Sequence, residues 1–103
     1  MKQVKDIISD ISCRVVGSEA TEVRALTLDS RRVEAGTMFF AVVGTATDGH
    51  AYIEGAIERG AVAVVCQQLP EKLHDEVCYV VVEDTSAVVG QMASNFYDVR
   101  RSS

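Results

Sequence analysis

The chain is short of the features that would place it in several large protein classes. No apolar run approaches the roughly 18 residues that a membrane-spanning helix needs. Its opening, Met1-Lys2-Gln3-Val4-Lys5-Asp6, holds neither the apolar stretch nor the cleavage site of a secretory leader, so a cytoplasmic location is expected. Pro70 is the only proline among 103 residues, and neither an internal repeat nor a low-complexity segment occurs, so no flexible linker divides the chain. Positive charge is scarce: 10 Lys and Arg against 15 Asp and Glu leave a net charge of −5. A general nucleic-acid binder needs a basic stripe, and that class is excluded, although a few placed cations suffice for one small anion. The three cysteines, Cys13, Cys66 and Cys78, form no C-x-x-C pair, which removes zinc knuckles and redox motifs from consideration. Neither Gly-Lys-Ser nor Gly-Lys-Thr occurs anywhere, so the chain carries no complete P-loop.

What remains is a core-forming composition. Hydrophobic residues make up 48%, enough to favour a packed fold over disorder. A single domain of this length buries roughly two-thirds of its unfolded surface without needing staples. Apolar spacing predicts a short helix over 4–11 and a strand over 13–16. A further strand is predicted over 23–28, with Val23, Ala25 and Thr27 alternating against Arg24, Leu26 and Leu28. The runs MFFAVV (38–43), AVAVVC (61–66) and VCYVVV (77–82) read as strands buried on both faces. Cys66 and Cys78 lie in such runs and read as small buried hydrophobes. A helix is expected over 50–59, with Tyr52, Ile53, Ala56 and Ile57 as its apolar stripe and Gly60 at its C′ position. A closing helix over 85–97 has Asp84 as its candidate N-cap. Strand, helix, strand over 38–66 is a βαβ unit. The predicted fold is therefore α/β, a three-layer domain with a mixed, partly parallel sheet flanked by helices.

Ligands in such sheets collect at the carboxyl ends of strands, beside helix starts. That rule points to Gly44-Thr45-Ala46-Thr47-Asp48-Gly49-His50. Two glycines permit a tight path, and a helix start offers free N–H groups to an anion. The G-x-x-x-x-G spacing resembles a P-loop but puts His50 where lysine would reach the phosphates and Ala51 where Ser or Thr would hold magnesium, so ATP hydrolysis here is rejected. From spacing alone, an ordinary strand-to-helix turn capped by Asp48 is the better reading. The second constellation is Leu28-Asp29-Ser30-Arg31-Arg32 at a strand end. Ser30 and Arg31 suit a phosphate oxygen, with Asp29 orienting Arg31; a solvated turn with a local Asp–Arg pair explains the same residues equally well. No nucleophile–base pair and no metal-ligand cluster is signalled, so catalytic and metal residues are expected to be absent.

Taken together, the segments are more specific than either alone. In LTLDSRRVEAGTMFFAVVGTATDGHAYIEGAIERGAVAVV, the succession D-S-R, V-x-x-G before F-F-A, G-x-x-x-D-G-H and A-x-x-x-G-A resembles the N-terminal domain of Mur ligases, and the likeness continues through VVVEDTSAVVGQMASNFYD. VVGTATDGHAYI is more similar to members that add the third, diamino acid to UDP-N-acetylmuramoyl-L-alanyl-D-glutamate than to members that add D-alanyl-D-alanine afterwards. The resemblance implies that this domain grips the UDP end of the substrate. Leu28 and Ser30 would contact the nucleotide, and Thr45, Ala46 and Thr47 would line its uracil and ribose side. Asp29, Arg31, Asp48, Gly49 and His50 belong to the same motifs. ATP and magnesium, used by the full family enzyme, would act in a central domain. A C-terminal domain would select the amino acid. The sequence ends at Ser103 before any such domain, so an excised domain or truncated product is expected, inactive alone. A non-catalytic UDP-sugar-binding module is the alternative from another class.

Overall fold

The computed structural model describes residues 2–43 and 49–97. Strands β4 (Ala25–Thr27), β5 (Thr37–Phe40), β6 (Ala61–Cys66) and β7 (Cys78–Val81) run parallel, and β2 (Arg14–Val16) joins the far edge antiparallel to β7. The sheet order is β2-β7-β6-β5-β4, and a separate antiparallel pair joins β1 (Lys2–Gln3) to β3 (Glu22–Val23). Helices are α1 (Val4–Ile7), α2 (Ile53–Glu58) and α3 (Thr85–Tyr97). No helix among the described residues is long and apolar enough to cross a membrane.

The layers follow from the two-residue period of a strand. Met38 and Phe40, Ala63 and Val65, and Cys78 and Val80 face one way, where they pack with Val4 and Ile7 of α1 and Met92 of α3. Phe39 and Ala41, Val64 and Cys66, and Tyr79 face the other way, toward Ile53 and Ala56 of α2. The three-layer mixed sheet expected from the sequence is thus the observed one. α1 and α3 are tied by Asn95, whose amide donates to the carbonyls of Ile7 at 2.8 Å and Ser9 at 3.0 Å, satisfying groups that the end of α1 would otherwise leave open. Asp84 caps α3 as expected, accepting from Ser86 N–H at 3.1 Å. Gly60 occupies the C′ position of α2 with φ +116°.

Several elements differ from expectation. The strand expected over 23–28 is two strands in two sheets: the Arg24 N–H donates to the Gly36 carbonyl at 2.7 Å, and the chain changes partner there. The helix expected from residue 4 closes at Ile7 and continues only as a turn. The helix expected from residue 50 begins as a 3-10 turn over Gly49–Tyr52 and becomes α only at Ile53.

Cys66 and Cys78 are fully buried, and that burial pushes both thiols up to about 11. In an unfolded chain each would give up its proton near pH ~8.5. The folded state holds that proton longer, so the contribution of the neutral thiols is complete below the unfolded pKa and is lost as pH rises toward the folded value. The melting temperature in reducing buffer is expected to fall between about pH 9 and about pH 11. A double Cys66→Ala, Cys78→Ala variant should fall less steeply; an equally steep fall would contradict this source.

Candidate functional site

At the carboxyl end of β4 the backbone is fixed by short side chains. Thr27 Oγ1 accepts from the Asp29 N–H at 3.1 Å. Asp29 then caps a 3-10 turn over Ser30–Arg32, its Oδ1 accepting from the Arg31 N–H at 2.9 Å. The same carboxylate takes the Arg31 guanidinium through Nε at 3.1 Å and Nη2 at 3.2 Å. Hydrogen bonds from the Arg31 side chain, then from its backbone N–H, hold the Asp29 carboxyl below the usual carboxylate range. The local Asp–Arg pair allowed by the sequence is therefore present. With the Arg31 side chain 83% exposed, the pair adds little stability. Its effect is to fix the guanidinium, whose other N–H groups are not used by Asp29. The Ser30 hydroxyl is half-buried and forms no hydrogen bond with any described residue.

The opposite border comes from the end of β5 and the start of α2. The strand predicted through Val43 is continuous only to Phe40; beyond it the Ala41 N–H still donates to the Val65 carbonyl at 2.8 Å and Val43 forms an isolated bridge, with its side chain exposed. The Val42 carbonyl accepts from the Gly49 N–H at 2.8 Å. A Cβ at position 49 would lie 2.6 Å from the Val42 nitrogen, so only glycine lets the two backbones meet. Gly44, Thr45, Ala46, Thr47 and Asp48, the loop expected to line the ligand, lie outside the described residues.

These borders enclose a cleft of about 440 Å³. It brings together Leu28, Asp29, Ser30, Arg31 and Gly49, five residues singled out from the sequence and drawn from segments far apart in the chain. It adds Phe39, Val42 and Tyr52, which sequence reasoning assigned to strand and core. Tyr52 was placed on the α2 stripe by 3.6-residue spacing. A 3-10 turn advances about 120° per residue instead of about 100°, which swings Tyr52 off the core face while Ile53 and Ala56 stay buried.

His50 does not border this cleft. Its Nε2 accepts from the N–H groups of Gln67 at 2.9 Å and Gln68 at 3.3 Å, which puts any ring proton on Nδ1. The ring ties the start of α2 to the end of β6 and lines a different cavity, of about 510 Å³, with Val43 and Arg14. Ser30 and His50 consequently do not pair as nucleophile and base. Among the described residues no group of three or more His, Cys, Asp or Glu is placed to hold a metal ion. The cleft combines apolar walls with a serine hydroxyl and an arginine held by Asp29.

Comparison with known proteins places this geometry in a family. Residues 22–97 match the family described as "Mur ligase family, catalytic domain". The chain is 46% identical over 96 residues to the UDP-N-acetylmuramoyl-L-alanyl-D-glutamate--2,6-diaminopimelate ligase of Phocaeicola vulgatus, covering 92% of this chain and 20% of that protein. It is 39% identical over 98 residues to a ligase of the same name from Clostridium acetobutylicum, covering 93% and 20%. Its fold matches MurF from Acinetobacter baumannii with a TM-score of 0.76 at 20% identity, covering 93% of this chain and 21% of that one. MurF from Thermotoga maritima, solved in complex with ADP, matches at 0.59 and 28% identity over 69% of this chain and 16% of that one. The chain belongs to the Mur ligase family. It spans about a fifth of the length of the curated relatives it matches.

Proposed function

We propose that this chain is the UDP-gripping domain of a cytoplasmic ligase that adds the third, diamino acid to UDP-N-acetylmuramoyl-L-alanyl-D-glutamate in peptidoglycan synthesis. The observation that carries this reading is the cleft at the carboxyl ends of β4 and β5, which Leu28, Ser30 and Gly49 border together. Leu28, with Thr45, Ala46 and Thr47, serves the nucleoside, and Ser30 and Arg31 serve the diphosphate. Asp29 fixes the turn and the guanidinium. Asp48, like the loop it ends, belongs to the same grip, and His50 supports it from behind through Gln67 and Gln68. The D-alanyl-D-alanine-adding ligase is the second reading. Its solved representative from A. baumannii is only 20% identical, against 46% for the diaminopimelate ligase of P. vulgatus, so the first is preferred.

In this reading the chain alone does not catalyse. ATP and magnesium belong to a central domain of the parent, and a C-terminal domain selects the amino acid. The residues here fit neither cofactor: position 50 carries a histidine whose ring accepts two backbone N–H groups, and position 51 carries alanine. Contacts confined to the UDP end act alike on ground state and transition state. They lower the Michaelis constant and position a distant carboxylate without touching the reacting centre.

The test is a titration of the 103-residue chain with UDP, followed by backbone amide shifts. Saturable shifts are expected at Leu28–Arg31 and Gly49, with little change at Lys2–Ile7 on the other face of the sheet. Shifts absent from the cleft, or spread evenly over the chain, would remove the reading. Retained UDP binding in a natural protein of this length would favour the stand-alone module.

A further inference from the structure

Five large hydrophobic residues are exposed among the described residues, and two of them, Leu28 at 53% and Tyr52 at 46%, border the same cleft. They come from different elements, Leu28 from the end of β4 and Tyr52 from the 3-10 turn that starts α2. Val42, half-buried, adds further apolar surface above the buried Phe39, while Ser30 and the Asp29–Arg31 pair make the rest of the border polar. The cleft is thus divided by chemistry: an apolar portion, and a portion with groups able to donate hydrogen bonds to an anion. The backbone at Tyr52 is fixed on both sides, because the adjoining Ile53 is buried in the core and the Gly49 N–H donates to the Val42 carbonyl.

We infer that Tyr52 is the ring platform for the nucleobase: the aromatic face packs on the base against Leu28, while Ser30 and Arg31 take the phosphate end. This rests on the UDP-binding reading above and adds to it the residue that recognises the base. Every nucleobase presents a π-face, so stacking supplies affinity through the ring and not through the phenol hydroxyl. Tyr52 accordingly supplies affinity for a flat heterocycle of any kind, and the hydroxyl is dispensable.

The experiment titrates the 103-residue chain and its variants with UDP and with uridine, reading cleft amide shifts, with a melting curve for each variant. Tyr52→Leu and Tyr52→Ala are expected to weaken both ligands by about tenfold, and Tyr52→Phe to stay within about twofold of the parent chain for both. Tyr52 is exposed, so all three variants should melt near the parent temperature, and Phe also controls for any packing loss. Equal affinity in the Leu and Ala variants would overturn the inference while leaving UDP binding intact. So would a loss confined to UDP, which would mean that Tyr52 acts through Arg31 on the phosphate, or a loss in Phe matching that in Leu. Absence of saturable UDP binding by the parent chain itself would remove the underlying reading and this inference together.

Discussion

Gly49→Val is expected to lower stability by about 2–4 kcal/mol and to abolish UDP binding in the same chain. The backbone of Gly49 touches the backbone of Val42: a Cβ would lie 2.6 Å from the Val42 nitrogen and 2.9 Å from its carbonyl oxygen. Neither atom is the end of a flexible side chain that can swing away. The valine must break the Gly49 N–H to Val42 carbonyl bond, now 2.8 Å, and push the 3-10 turn off the strand end. Overpacking of this kind costs about 1–3 kcal/mol and the hydrogen bond about 1 kcal/mol more. Against a typical total of roughly 5–15 kcal/mol, the domain still folds, and its melting temperature should drop by roughly 10–25 °C. Because Val42, Gly49 and Tyr52 all border the cleft, the same displacement pulls its wall apart. Gly55→Ala is the matched control. A Cβ there meets nothing within 4 Å, and the change in a helix interior should raise stability by roughly 0.5–1 kcal/mol. An unchanged melting curve for Gly49→Val would show that the two backbones can separate without cost.

The same contact shows what the sequence could and could not disclose. Two elements lie where a single local term places them. AVAVVC is apolar throughout, and β6 spans Ala61–Cys66 as expected; Asp84 is a strong N-cap, and α3 spans Thr85–Tyr97 as expected. Boundaries failed where two tertiary partners compete for one backbone. Arg24 could continue the alternation of Val23 and Ala25, yet its N–H is claimed by Gly36, and the strand splits. Tyr52 has the spacing of a core residue, and only the tighter 3-10 turn, itself a consequence of Gly49 docking on Val42, turns it outward.

The candidate site was legible in part for a related reason. Leu28 to Arg31 form a contiguous segment whose local chemistry, an Asp cap followed by Ser and Arg, already suggests a turn that presents donors. That Gly49 faces this segment is set by the parallel pairing of β4 with β5, which no local pattern encodes. His50 shows the converse. It adjoins Gly49 and shares its motif, but its ring accepts from the N–H groups of Gln67 and Gln68 just beyond β6, and it does not border the cleft. Sequence adjacency alone could not disclose that separation.

In a full-length parent, Ser30→Ala is expected to raise the KM for the UDP-linked substrate by about tenfold to a hundredfold while kcat stays within about twofold. The size follows from the state of the hydroxyl. It has no hydrogen-bond partner among the described residues, so its removal breaks no hydrogen bond there and the expected loss falls on the complex. A hydrogen bond to a charged phosphate oxygen contributes about 1.5–3 kcal/mol, and each 1.4 kcal/mol is about a factor of ten. The direction follows from distance. In the proposed reading the diphosphate is remote from the carboxylate to which the amino acid is added, so the contact is made equally before and during reaction and enters KM alone. Ser30→Thr keeps the hydroxyl and should recover most of the affinity, which separates a lost hydrogen bond from a disturbed turn. Steady-state kinetics with saturating ATP and amino acid would measure both constants. If kcat fell a hundredfold with KM unchanged, the Ser30 contact would have to form only in the transition state, and a domain that merely grips the UDP end would no longer account for it.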